Sequence, residues 1–179
     1  MTALERPAFV LSVPIVIRQA ERSDVSKLEW FGQYSHFRQL IRRAYQEQAH
    51  GHRLILVADF NGFPVGQVII QMRSTNSRIA DGSTRAYLYS FRVLDLLQGM
   101  GIGTRLLHEA ETLLRNQGFS YTTLSVAINN PNAYRLYRRN GYYVLGEDPG
   151  RWSYVDQDGI THQVEEPCRI MEKNLIRMR

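Results

Sequence analysis

Between an apparent strand and a long amphipathic helix the chain reads Gln98-Gly99-Met100-Gly101-Ile102-Gly103-Thr104. No other segment constrains the fold as much. Glycines allow a backbone turn that side chains would block, and they let amide N–H groups face an incoming ligand. A helix starting near Gly103 adds the positive end of its dipole. Such a turn is either a tight corner or an anion site suited to a pyrophosphate. It is not a Walker loop, because no Gly-Lys-Ser/Thr follows, and the dinucleotide fingerprint lacks its third glycine in register.

The rest of the chain arranges itself around this turn as one α/β domain over residues 14–179, after an N-terminal arm at 1–13. Pro14–Ala20 reads as a strand. Ser23 is placed as the N-cap of a first helix carrying Val25, Leu28 and Phe31. A second helix carries Phe37, Leu40, Ile41, Ala44 and Tyr45 and stops near Gly51. Arg53–Phe60 and Val65–Met72 form a hairpin around Asn61-Gly62. A polar loop, Arg73–Thr84, leads to the aromatic-rich strand Arg85–Leu94. Ile102, Leu106, Leu107, Ala110, Leu113 and Leu114 put one apolar stripe on the helix after the glycine turn. Tyr121–Ile128 is a strand. Asn130 and Pro131 open a further helix as N-cap and first residue, and Gly141 closes it. Tyr142–Glu147, Trp152–Val155 and Arg169–Lys173 read as final antiparallel strands, with a turn at Asp158-Gly159. The expected architecture is a mixed central sheet of about seven strands flanked by about four helices.

A second motif lies downstream, Asn130-Pro131-Asn132-Ala133-Tyr134-Arg135-Leu136-Tyr137, with Gly141-Tyr142 after it. Ala133, Leu136 and Tyr137 share a helix face. Alone, Tyr137 reads first as a core aromatic, with a site residue as the alternative, and Asn130 as a cap. Together the two motifs resemble the GNAT superfamily of N-acetyltransferases, and the resemblance spans Pro14 to Leu175. The family's glycine loop is matched by Gln98, Gly101 and Gly103, and its lead-in strand ends at Val93. Its later run is matched by Asn130, Ala133, Leu136, Tyr137, Gly141 and Tyr142, and its usual last strand by Met171–Leu175.

The resemblance implies a GNAT-type acyl-CoA N-acyltransferase fold and an enzyme that moves an acetyl group from acetyl-CoA to a primary amine of a small molecule, peptide or protein. It further implies that the backbone of Phe91, Arg92 and Val93 pairs with pantetheine. On the same footing, Gln98, Gly99, Met100, Gly101, Ile102, Gly103 and Thr104 wrap the pyrophosphate. Asn130 hydrogen-bonds pantetheine, and Tyr137 protonates the departing thiolate. A phenol's reference pKa of about 10 lies above a thiol's of about 8.5, so the tyrosine keeps its proton at neutral pH. Members that acetylate ribosomal-protein N-termini carry a glutamate where Ser125 stands. The general base is therefore open among Glu47, Glu147, Glu165 and Glu166. Tyr87, Tyr89 and Phe91 either wall an acceptor cleft or join the core.

Composition narrows the alternatives. The net charge is +5 and all but two of the 22 basic residues are arginine, without a block of like charges. Nucleic acid is therefore not the expected partner. No apolar run approaches the roughly 20 residues that cross a bilayer, and no metal-ligand spacing is present, so neither membrane nor metal is expected. Cys168 is the single cysteine, consistent with a cytoplasmic protein. The acceptor's identity and the length of the acyl group stay open, and a homodimer is allowed for. The competing class is a non-catalytic acyl-CoA-binding sensor or interaction module.

Overall fold

The computed structural model describes residues 12–176. The arm expected at 1–13 falls almost wholly outside them. Seven strands form one mixed sheet in the order β1-β2-β3-β4-β5-β9-β6. These are β1 (Val16–Gln19), β2 (Arg53–Phe60), β3 (Phe63–Gln71), β4 (Arg85–Val93), β5 (Tyr121–Ala127), β6 (Tyr143–Asp148) and β9 (Cys168–Asn174). β7 (Arg151–Val155) and β8 (Thr161–Glu165) form a separate hairpin. The helices are α1 (Arg38–Gln48), α2 (Ile102–Asn116) and α3 (Pro131–Arg139). Among the described residues no helix is long and apolar enough to cross a membrane.

Each face of the sheet has its own core, as a sheet with two apolar faces requires. On one face α2 inserts Leu106, Leu107, Ala110 and Leu114, all 0% exposed, against Leu56, Val68 and Leu88. Full burial of one such leucine contributes about 1.5–3 kcal/mol. On the other face Ile41 and Ala44 of α1 meet Ile55, Val57 and Ile69. The period of the apolar residues thus sets which face each helix covers.

The first expected helix takes a different form. Residues 22–24 and 27–29 are 3-10 turns, and Ser23 is not the cap. Glu21 and Asp24 form the capping box instead, and buried Asp24 also binds Arg18 at 2.6 Å. Trp30 and Phe31 adopt positive φ, which ends any helix there, and Phe31 is 90% exposed. The Trp30 indole donates to the Pro64 carbonyl at 2.9 Å and holds this segment to β3. The strand β8 was absent from the sequence reading. Its Thr161–Glu165 run is mostly exposed and pairs only with β7.

Candidate active site

The site begins where the sheet fails to close. β4 and β5 run parallel and pair over only four residues, from Arg85↔Tyr121 to Leu88↔Leu124. Beyond Leu88, β4 pairs with β3 alone, while β5 continues with β9 as far as Ala127↔Cys168. The two strands therefore part, and backbone groups on the facing edges have no ladder partner. A bulge deepens the opening. Between Ile69↔Tyr89 and Gln67↔Arg92, β4 carries one residue more than β3, and Ser90 sits at φ 48°. The Gln67 amide steadies the bulge by donating to the Ser90 carbonyl at 3.1 Å.

The bulge also redirects side chains. Phe91 turns to the α2/α3 face, with its ring 6.1 Å from that of Tyr137. Tyr89 and Arg92 lie opposite Ile69 and Gln67, two residues apart on β3, and so share the α1 face. A cleft of about 1660 Å³ opens here, and Phe91, Arg92, Asn130 and Tyr137 all line it.

Tyr137 is 6% exposed, and its hydroxyl makes no hydrogen bond among the described residues. Burial, with a smaller contribution from Tyr87, pushes its pKa well above the usual phenol value. The group is thus a protonated phenol with an uncommitted O–H. Asn130 caps α3, its Oδ1 accepting from the Ala133 N–H at 3.0 Å. Its side-chain amide can donate elsewhere. Helix cap and site residue are compatible roles.

The glycine turn lies outside this cleft, at the end of β4. Gly99 and Gly101 have φ of 78° and 86°, which side-chain residues rarely adopt. Gly101 is the N-cap of α2 and supplies no side-chain bond, so the N–H groups of Ile102, Gly103 and Thr104 lack intrahelical partners. Ile102 and Met100 contribute differently: the first side chain is buried in the core, the second is 68% exposed. The Gln98 amide donates to the Val93 carbonyl at 3.1 Å and to Asp95 at 2.8 Å. It braces the turn and ties Asp95 down. Gly103 lies against Leu136, Phe91 and Val93, at 3.7–3.9 Å from a hypothetical Cβ, joining the turn to β4 and α3.

The carboxylates divide sharply. Glu47 lines the cleft but bridges Arg43 at 2.8 Å and Arg53 at 3.0 Å. Glu147 and Glu165 do not line it, and both are largely exposed. Glu166 does, as does Asp148, which the sequence reading passed over. Asp148 sits at the end of β6 opposite Cys168, a placement only the sheet register reveals. Ser125 accepts a hydrogen bond from Tyr87 at 3.0 Å. The Cys168 thiol is pushed up in pKa by burial and is not a ready nucleophile.

The far wall of the cleft is aromatic. Phe37 stands 4.9 Å from Tyr154 and 6.1 Å from Trp152. The hairpin of β7 and β8 thus leans on the start of α1, and the Gln39 amide secures it to the Asp156 carbonyl at 2.9 Å. These rings are distant in sequence from the motifs and carried no signal of their own. Among the described residues there is no cluster of His, Cys, Asp and Glu able to hold a metal.

The sequence model of the Acetyltransferase (GNAT) family matches residues 20–142. No curated protein matches the chain in sequence. Among solved structures, the aminoglycoside 6'-acetyltransferase type Ii is similar with a TM-score of 0.63 at 20% identity, over 92% of this chain and 99% of that one. The ribosomal-protein-S18-alanine N-acetyltransferase from Escherichia coli gives 0.67 at 20% identity, over 93% and 97%. A putative acetyltransferase from Salmonella typhimurium, solved with its cofactor acetyl-CoA, gives 0.66 at 18%, over 93% and 96%. The parted strands, the glycine turn and the family match lead to one conclusion: the chain belongs to the GNAT acetyltransferase family.

Proposed function

We propose that the protein transfers an acetyl group from acetyl-CoA to a primary amine by direct attack. The observation that carries this is the parting of β4 from β5 beside Tyr137, a buried residue that lines the cleft and whose hydroxyl has no hydrogen-bond partner among the described residues. Unpaired backbone groups of Phe91–Val93 bind pantetheine as a strand binds its neighbour, and an N–H near Val93 steadies the developing oxyanion. Asn130 donates its amide to pantetheine. The Gln98–Thr104 turn and the uncapped amides of α2 hold the pyrophosphate. The amine nitrogen bonds to the acetyl carbon as the C–S bond breaks. Tyr137 gives its proton to the thiolate, and the amine's proton leaves through water.

A water route suits the carboxylates present. Glu47 is held by two arginines, and Ser125 bonds Tyr87. The test is thiol release from acetyl-CoA across a panel of amines and peptides. Release that depends on both substrates is expected. Tight acetyl-CoA binding with no turnover across the panel would return the chain to a binding module.

A further inference from the structure

Buried polar groups in folded proteins nearly always have hydrogen-bond partners, and each exception calls for an explanation. Three such exceptions lie together on the α1 face of the cleft: Nη1 and Nη2 of Arg92 and the hydroxyl of Tyr89. All three are donors. The bulge at Ser90 puts them on neighbouring positions of one face. The Arg92 guanidinium lies 4.0 Å from the Tyr34 ring centre and 5.2 Å from that of Phe37. Those rings supply cation–π attraction, and the Tyr34 hydroxyl also favours the charged guanidinium, but neither residue offers the paired oxygens that a guanidinium fork fits. Burial lowers the arginine's pKa, and burial likewise raises that of Tyr89 to about 12. One buried acceptor nearby also lacks a partner, Oε1 of Gln67 across the strand from Arg92. A single amide oxygen still leaves donors in excess.

Four of the other five arginines that line the cleft are engaged, and the fifth, Arg42, is exposed to solvent. Arg43 and Arg53 meet Glu47, Arg38 meets Glu29, and Arg151 meets Glu165. Arg92 has no ion pair among the described residues. An uncompensated buried charge is costly, and a planar guanidinium is matched best by the two oxygens of a carboxylate or phosphate. Its place is next to the main chain proposed to hold the thioester.

We infer that Arg92 and Tyr89 form an oxyanion pocket for the acceptor, so that the substrate is a primary amine bearing a carboxylate or phosphate. This rests on the acetyl-transfer reading above. The Tyr34 ring, beside the cleft, swings aside to admit the anion. The rings of Phe37, Trp152 and Tyr154 then pack against the acceptor's body.

The test uses protein saturated with CoA, so that added anions cannot occupy the cofactor's phosphate site. Calorimetric titrations compare phenylacetate with phenylacetamide, and inorganic phosphate separately. Phenylacetate or phosphate is expected to bind wild type about ten- to a hundredfold better than the amide, the worth of a charged hydrogen bond. Which of the two binds identifies the oxyanion. Arg92→Gln should abolish the preference, and Tyr89→Phe should reduce it severalfold. Arg92→Lys, which keeps the charge, should recover only part of it. In turnover, phenylalanine against phenylalaninamide and phosphoethanolamine against ethanolamine should show the same preference in kcat/KM once each is divided by the amine's neutral fraction, again lost in Arg92→Gln. Equal binding of anion and amide by wild type, or a preference unchanged in both Arg92 variants, overturns the pocket. Anion binding without acetylation of any amine would retain the pocket and defeat the transferase reading instead.

Discussion

Replacing Tyr137 by phenylalanine removes one oxygen from a residue that is 6% exposed and whose hydroxyl bonds nothing among the described residues. The ring keeps its neighbours, Phe91 at 6.1 Å and Tyr142 at 5.8 Å. No hydrogen bond among the described residues is broken, so the melting temperature should stay nearly constant. Acetyl-CoA affinity, carried by backbone and by the glycine turn, should also hold. Turnover should fall about 10²- to 10⁴-fold, the range for loss of a general acid, which corresponds to about 2.7–5.4 kcal/mol on the barrier. Burial adds a pH signature. Because it lifts Tyr137 above the ordinary phenol range, the proton stays on the oxygen throughout the neutral and mildly alkaline range. The wild-type rate should therefore show no alkaline decline up to about pH 10. Thiol release at saturating acetyl-CoA, with a thermal melt of each variant, measures all of this. Wild-type turnover in Tyr137→Phe would make the residue a core aromatic and refute the reasoning.

With an amine of pKa about 9, roughly 1% is neutral at pH 7, a handicap of about 2.7 kcal/mol, so the rate should climb about tenfold per pH unit and level off near the acceptor's own pKa. Alanine at Glu47, Asp148 or Glu166 should each cost less than about tenfold in turnover; a 10³-fold loss at one of them, with acetyl-CoA binding intact, would identify it as the base. Gly101→Ala should destabilise by about 1–2 kcal/mol, because an L-residue pays that cost in the left-handed region, whereas Gly103→Ala meets only ordinary contacts; equal melting temperatures would refute the distinction. Asp24 is buried, which alone would raise its pKa, but Arg18 and the Glu21 N–H hold it below the usual carboxylate value. Its contribution to stability should be present above about pH 4 and be lost as pH falls further, and Asp24→Asn should flatten that acid limb in a urea-melt series.

The stretch from the glycine turn through α3 was legible because its punctuation is local. Gly101 ends a strand connection at positive φ, and Asn130 with Pro131 begins α3 by hydrogen bonds to its own first turn. The segment after β1 was not, because its geometry is set at a distance. Arg18 of β1 claims Asp24, and Trp30 reaches Pro64, so 3-10 turns replace the helix that Val25, Leu28 and Phe31 suggested. The site divides in the same way. Tyr137 and Asn130 stood out through the resemblance of their motif to the family's. The donors of Tyr89 and Arg92 did not, because they share a face only through the left-handed Ser90, and serine gives no warning of that conformation. Asp148 and the aromatic wall depend on register and on a hairpin folding back, neither of which has a local code.

The short seam between β4 and β5 also has a mechanical meaning. It divides the sheet into a block of β1 to β4 and a block of β5, β9 and β6, and in the sheet four residue pairs alone stitch them together. Side-chain bonds reinforce the stitch, from Thr123 to the carbonyls of Ile79 and Ala86, from Arg85 to Glu172 and from Tyr87 to Ser125. Within the sheet the blocks are therefore fastened at one end and unpaired at the other, like the arms of a tuning fork. A molecule that bridges the open end would damp their relative motion. Amides on the facing edges beyond Leu88 and Leu124 should then exchange hydrogen with solvent quickly in the empty protein and slowly once the gap is filled.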